Sequence, residues 1–416
     1  MSAQGEQPAG SLRGVRVIEI GTSVAAPMAG QILGDLGAEV IKVERVGAGD
    51  DSRSWAPPHW DDQSVTFLAL NRNKKSLALD YKDPRGLRVL QDLIAAADVL
   101  VHNLRPGALA GAGFSPGELR ALNPRLINIE MTGFGAVGPR AGQPGYDPLL
   151  QAYSGIVSIT GQDSGPPSRV PVSLLDMGTG MWAVLGVYEA LRRRDATGEG
   201  CHIQLSLLQT ALTWLSTPLL TVLSGNPAPG RLGSGLAGVV PYGAYPASDG
   251  YVFISAGNDA AWARLCQALD AVSLADRDGF EINDRRVRSR STVDAELSAV
   301  TQAFTTAEIL RRLGQAGVPC APVQTLTEVA GDEQVAAIGA ISPLPHPGIP
   351  GFSVVNLPVT FDGHYLPHTN APPALGADTA TVLADLGRTP AEIDELVRDN
   401  VAQVAFEPAS EPAVTP

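Results

Sequence analysis

The chain has 416 residues and a formal net charge of −13, from 43 Asp and Glu against 30 Lys and Arg. That balance excludes a general affinity for nucleic acid or for an anionic membrane surface as the main activity. A hydrophobic content of 44%, with 45 Gly and 33 Pro, belongs to a chain that folds around large cores rather than to a low-complexity one.

Residues 15–20 read as a short apolar strand, followed by a small-residue turn from Gly21 to Pro27. Helical spacing of Met28, Ile32, Leu33 and Leu36 predicts a helix over 28–37 that stops at Gly37. Strands follow at 38–43 and 76–79, with an irregular polar stretch (47–64) between them. A helix at 84–97 leads into strands at 98–102 and 126–129. Short strands separated by helices of this length predict a parallel sheet with crossover helices, an α/β fold. Residues 172–175 read as an apolar strand, 177–194 as a long helix and 201–207 as another strand. The Gly- and Pro-rich stretch 224–238 breaks the pattern. Beyond it, a strand at 250–255 and helices at 258–270 and within 293–315 form a second, smaller α+β unit. A Pro-rich stretch (341–373) precedes a helical pair within 376–400, and the tail at 406–416 reads as disordered.

Cys201, Cys266 and Cys320 are widely spaced, with no C-x-x-C pair, so neither a disulfide framework nor a metal site is expected. The opening MSAQGEQPAG has no apolar core of a leader. No run reaches about 18 apolar residues, so the expected location is cytoplasmic, with no membrane partner.

The charge is uneven. Through Arg105 there are 12 Lys and Arg against 13 Asp and Glu, so −12 of the net −13 lies beyond. Lys42, Arg45, Arg72, Lys74, Lys75, Lys82 and Arg105 fall at or near predicted strand ends. They read either as solvated surface charge or, as a set, as a site for a phosphorylated ligand. Arg285, Arg286, Arg288 and Arg290 read as solvated surface. Gly233, Gly235 and Gly238 match G-x-G-x-x-G literally, but no helix follows, and the stretch reads as a mobile loop. Asp176 precedes the long helix. It reads either as the N-cap of that helix or as a carboxylate held ionised at a βα switch, where Gly178 and Gly180 would admit a substrate. An ionised carboxylate there can attack an activated acyl group to form an anhydride.

Taken together, the segments LRGVRVIEIG (12–21), LGAEVIKVER (36–45) with Gly49-Asp50, NRNKKSLALDYK (71–82), ADVLVHNLRPG (97–107), GYDPLLQAYSG (145–155) and LLDMGTGMWAVLGVYEALRRRDATGEG (174–200) resemble the family III CoA-transferases. NPRLINIEMTGFGAVGP (123–139) and PYGAYPASDGYVFIS (241–255) extend the likeness over nearly the whole chain. The resemblance implies a large Rossmann-like domain from both ends of the chain: 1–223 and a returning part at 331–405, with a small domain at 224–330 between them. It also implies an interlocked homodimer.

The family nucleophile falls on Asp176. The family's CoA contacts fall on Arg45, Leu79, Lys82, Asn103 and Arg105, with backbone contacts at Val24 and Ala25. A basic family position falls on Gly111, for which Arg105 is expected to compensate. The loop glycines Gly233, Gly235 and Gly238, with Tyr146, fall in the substrate region. The implied activity is transfer of CoA from an acyl-CoA to a free carboxylic acid, with a dicarboxylic acid such as succinate as the candidate class. Acyl-CoA is then a substrate and no permanently bound cofactor is expected. Two alternatives stand beside it. One is an α-methylacyl-CoA racemase on the same fold, in which Tyr146 would replace the family's histidine, and a phenol, ordinarily with a pKa of about 10, is a poor base near neutrality. The other is a non-catalytic CoA-binding or dinucleotide-dependent protein.

Overall fold

The computed structural model describes residues 10–405; the expected tail at 406–416 lies outside them. The first ladder of strands is β1 (Arg16–Ile20), β2 (Glu39–Glu44), β3 (Lys74–Leu79), β4 (Val99–His102), β5 (Ile127–Thr132) and β6 (Cys201–Ser206), all parallel. A seventh strand, β7 (Ala402–Gln403), pairs antiparallel with β3 through Ala402 and Leu79. The sheet order is β7-β3-β2-β1-β4-β5-β6. Strand order reverses at β1, so the crevice between the carboxyl ends of β1 and β4 is the switch point where such sheets bind ligands.

Strands β1 to β5 are buried on both faces, which explains their largely apolar sequences, whereas β6 at the edge exposes His202 and Gln204. Ile18, Ile41 and Leu77 pack on one side against Val89, Leu90 and Leu93 of helix α2 (Pro84–Ala95). Val382, Leu383 and Leu396 of the C-terminal helices join that layer. On the other side Val17, Val40, Val99 and Ile127 meet helices α1 (Ala25–Asp35) and α4 (Leu174–Thr197). Helix α3 (Asp147–Ser154) lies between β5 and α4 in the chain, and α5 (Leu207–Trp214) follows β6.

Two compact units emerge. The first contains the described residues up to Leu150, Val172–Trp214 and those from Ala337 on. The second is Gln151–Pro171 with Leu215–Ala336, so it takes in a segment before α4 that the sequence reading left in the larger domain. Its three-stranded antiparallel sheet (Tyr242–Pro246, Tyr251–Ser255 and Cys320–Pro322) packs on a core that includes Trp262, Leu265, Val293, Leu297, Ile309 and Leu313. Among the described residues, no helix is long and apolar enough to cross a membrane.

Several expectations change. Residues 172–175 form no strand: Leu174 already begins α4, because a carboxylate from elsewhere accepts the first helical N–H groups, as described below. Lys42, Arg72 and Lys74 are not surface cations, at 0%, 3% and 3% exposure. Lys42 Nζ lies 2.7 Å from both Glu19 Oε1 and Asp50 Oδ2, and Lys74 Nζ lies 2.8 Å from Glu19 Oε2. Arg72 pairs with Asp35 at 2.6 Å. Arg286 is also fully buried, donating to Val240 O, Phe280 O and Asp259. The loop at 233–238 is tied down rather than loose: Arg290 Nη2 donates to the carbonyls of Leu236, Ala237 and Val239.

Helix α1 can lie over the buried charges because Gly30 has no side chain: a Cβ there would fall 1.9 Å from Glu19 Oε2 and 3.3 Å from Lys74 Cε. Gly30→Ala therefore has to displace a paired, buried carboxylate, and urea unfolding should show a loss of about 1–3 kcal/mol. Lys42→Met, which leaves Glu19 and Asp50 facing each other without their shared cation, should cost about 3–5 kcal/mol. Unchanged midpoints for both variants would contradict the seating of α1 on this cluster.

Candidate active site

Helix α4 opens with no cap from its own N-cap residue, Ser173. The acceptor comes instead from Asp147 at the start of α3, whose Oδ2 takes the backbone N–H of Leu175 at 2.6 Å and of Asp176 at 3.2 Å. Asp147 is itself buried. Its position follows from the backbone before it. Gly133 and Gly145 touch, and a Cβ on either would stand 2.7 Å from the other's Cα. Asp176 is thus not the N-cap. It sits in the first turn of α4 with its carboxylate spared from capping.

The spacing of Asp176, Gly180, Ala183 and Val187 puts them on one face of α4. Gly180, Ala183 and Val187 are buried on that face. At Gly180 a Cβ would meet Ala25 O at 2.9 Å and Met28 Cβ at 3.0 Å, so α4 crosses the first turn of α1 at close range. At Gly178 it would meet Trp214 Cζ2 at 2.8 Å. Both glycines are required by helix packing, which corrects the expectation that they make room for a substrate. Asp176 lies one turn before Gly180, on the face of α4 that crosses the start of α1. That start has no side-chain cap and no acidic residue in its first turn. Unoccupied N–H groups there favour an anion or a developing oxyanion.

Asp176 is half-buried. Burial, reinforced by the nearby Asp147 carboxylate, pushes its pKa from 3.8 up to about 7. A carboxylic acid tuned to neutrality in a crevice is a functional-site signature with a stated physical cause.

The other expected residues gather at the carboxyl ends of β1, β2, β3 and β4. Val24 is the N-cap residue of α1 and Ala25 its first residue. Arg45 follows β2, where Nε and Nη2 both donate to Gly49 O at 3.1 Å and Nη2 pairs with Asp51. Lys82 and Arg105 are exposed beyond β3 and β4. Leu79, by contrast, is 1% exposed and its side chain belongs to the core. Asn103 turns both amide atoms onto one residue: Oδ1 accepts from Thr22 N at 3.0 Å, and Nδ2 donates to Thr22 O at 2.8 Å. Tyr146 is 60% exposed, next to Asp147. The glycines of the 233–238 loop belong to the second unit, where Gly233 N donates to Gly161 O at 2.9 Å.

Asp147 as a cap, and Glu19 and Asp50 as buried partners, were not singled out by sequence. Glu19 and Lys42 do occupy interior positions of strands buried on both faces, on the same side as Val17 and Val40, and that alternation is a usable signal for a buried pair.

Residues 12–379 match the model of CoA-transferase family III. Succinyl-CoA:glutarate CoA-transferase of Mus musculus is 37% identical over 377 residues, covering 91% of this chain and 86% of that protein. Succinate–glutarate CoA-transferase of Agrobacterium fabrum is 35% identical, covering 90% and 95%. A CAIB/BAIF family protein from Brucella suis has the same fold with a TM-score of 0.83, at 33% identity, over 91% of this chain and all of that one. The chain belongs to CoA-transferase family III and is an enzyme that moves CoA from an acyl-CoA to a free carboxylic acid.

Proposed function

We propose that the transfer runs as a ping-pong reaction through Asp176. The observation that carries this reading is a half-buried carboxylate with a pKa near neutrality, spared from capping by Asp147 and carried on the face of α4 that crosses the uncapped start of α1. Ionised Asp176 attacks the thioester carbonyl of the donor. The C–S bond breaks, CoA leaves as thiolate, and a mixed aspartyl anhydride remains. The thiolate then attacks the aspartyl carbonyl, expelling the donor acid and leaving a β-aspartyl-CoA thioester. An acceptor carboxylate attacks that thioester in turn. The released thiolate takes the new acyl group and restores Asp176. N–H groups at Val24, Ala25 and Ala26 are suited to the oxyanion of each tetrahedral intermediate, whereas Pro27 has none and Met28 N donates to Val24 O.

The exposed cations Arg45, Lys82 and Arg105, past the ends of β2, β3 and β4, supply the charge for the CoA phosphates. A dicarboxylic acid such as succinate or glutarate is the substrate class we favour, from relatives named for succinyl-CoA and glutarate. A homodimer fits the exposed apolar stripe Met177, Met181 and Leu185 on α4, with Trp182 beside it. A racemase would need a base where the family's histidine stands, and this chain has there the phenol of Tyr146, 60% exposed.

Asp176→Ala and Asp176→Asn should lower kcat by a factor of about 10⁴ or more while the folded chain still binds CoA. Wild type incubated with succinyl-CoA and hydroxylamine should gain a hydroxamate at Asp176. A panel of acids read by mass spectrometry should give dicarboxylates the highest kcat/KM. An Asp176→Asn chain with wild-type turnover contradicts the reading.

The pH dependence follows from the same group. The nucleophile must be ionised, so kcat/KM should rise with pH through an acid limb near 7. Asp147→Asn removes the smaller cause and keeps an acceptor for the cap, so the limb should move down but stay above an ordinary carboxylate, because burial persists. Folding favours protonated Asp176, so its contribution to stability is present at low pH and fades as pH rises from about 4 through 7. Asp176→Asn should flatten that slope in a pH series of urea midpoints.

A further inference from the structure

The turn between β1 and α1 delivers the N–H groups that the proposed reaction uses, yet it contains no residue whose own side chain fixes its shape. Ser23 adopts φ +72°, a left-handed conformation that a non-glycine residue holds only under constraint. Each of three consecutive residues is instead gripped by a side chain from another part of the sheet. Lys42 Nζ donates to Gly21 O at 2.9 Å. Asn103 takes both backbone groups of Thr22. Asp50 Oδ1 accepts from Ser23 N at 3.0 Å, while Oδ2 lies 2.7 Å from Lys42 Nζ. Lys42 is anchored in turn to Glu19 at 2.7 Å. Lys42 and Asp50 are 0% and 1% exposed, so neither side chain can touch a substrate.

We infer that Asn103, Asp50 and Lys42 are positioning residues that hold the Gly21–Ser23 turn, and through it the start of α1, in the geometry needed for acyl transfer at Asp176. The inference rests on the Asp176 reading above. It changes the role of Asn103, since an amide whose oxygen and nitrogen are both bonded to Thr22 acts through the turn rather than directly on CoA. Asp50 and Asn103 reach the turn from different places, the stretch after β2 and the end of β4. Energetic coupling between them is therefore expected to pass through the turn itself.

The test is a double-mutant cycle on the full-length enzyme, with rates normalised to the fraction of Asp176 that hydroxylamine can trap. Asn103→Ala removes the grip on Thr22. Asp50→Asn keeps the shape, but its single oxygen cannot serve both Ser23 N and Lys42, so one anchor is lost. Each variant should lower single-turnover acylation by succinyl-CoA by about tenfold or more and alter kcat and KM in the same proportion as the other. The double variant should lose clearly less than the product of the two losses. Unfolding of part of the population would reduce the trapped fraction and leave the normalised rate unchanged, so a purely structural role predicts wild-type normalised rates for both, and that result overturns the inference. So does a rise in KM confined to Asn103→Ala, which marks a direct CoA contact, or losses that multiply. Should Asp50→Asn fail to fold, Asn103→Ala still decides: slowed acylation supports positioning, and a pure KM effect overturns it. A wild-type enzyme that forms no adduct at Asp176 is separately recognisable; it overturns the nucleophile reading and the positioning inference with it.

Discussion

Two lysines and two carboxylates, Lys42, Lys74, Glu19 and Asp50, are buried between the central sheet and helix α1. Removing these charges from water is costly, and the arrangement is tolerable only because each is paired and hydrogen-bonded. Burial works against the charge on Lys42, but Glu19 and Asp50 outweigh it and hold its pKa above the usual lysine range. Lys74 shares Glu19 and feels the repulsion of Lys42. Burial dominates there and pushes it down to about 8. The adjoining Glu44 is clamped by Arg53 at 2.7 Å and accepts from the backbone of Asp50 at 3.0 Å, so the chain after β2 is locked to the same cluster. Gly30 admits α1 over these groups, and Lys74 also donates to Pro27 O at 2.7 Å. The interior charges thus fix where the first helix lies and how the preceding turn is shaped.

A second constraint meets the first at α1. Helix α4 crosses α1 at Gly180, and its opening is capped from α3 by Asp147. Because the cap is supplied from outside, the acidic residue in the first turn of α4 is left to the crevice. Because the cap is itself a carboxylate, it raises the proton affinity of its neighbour. The same arrangement therefore positions Asp176 and tunes it. A carboxylate in water is ionised well below neutrality, whereas burial and then Asp147 raise the pKa of this one to about 7.

Much of the sheet was legible in sequence, since alternating strands and amphipathic helices such as α2 carry their period openly. Strands β1 to β6 fall within a few residues of their expected ranges. The conspicuous miss, a strand at 172–175, has a clear cause: apolar residues before a helix look extended unless one knows that an acceptor 28 residues earlier will pull Leu175 into the first turn. Charge was misread for a related reason. Residue type suggests surface for Lys42, Arg72, Lys74 and Arg286, while each is buried against a carboxylate distant in sequence. Asp176 stands out in sequence as a residue to weigh, but its N-cap reading fails, and Gly178 and Gly180 serve helix contact instead. The double grip of Asn103 on Thr22 has no sequence signal; it exists only once β1 and β4 lie side by side.

The central claim, that Asp176 carries the acyl group covalently, is tested most directly by following oxygen. In the proposed route the acceptor acid gives one carboxylate oxygen to Asp176 each time its acyl group passes to CoA. Turnover of the full-length enzyme with succinyl-CoA and an acceptor acid labelled with ¹⁸O in its carboxylates should therefore deposit label in the side chain of Asp176, located by peptide fragmentation, and none in Asp147. Product formed at the normal rate with Asp176 left unlabelled, or with the label in Asp147, would contradict the account.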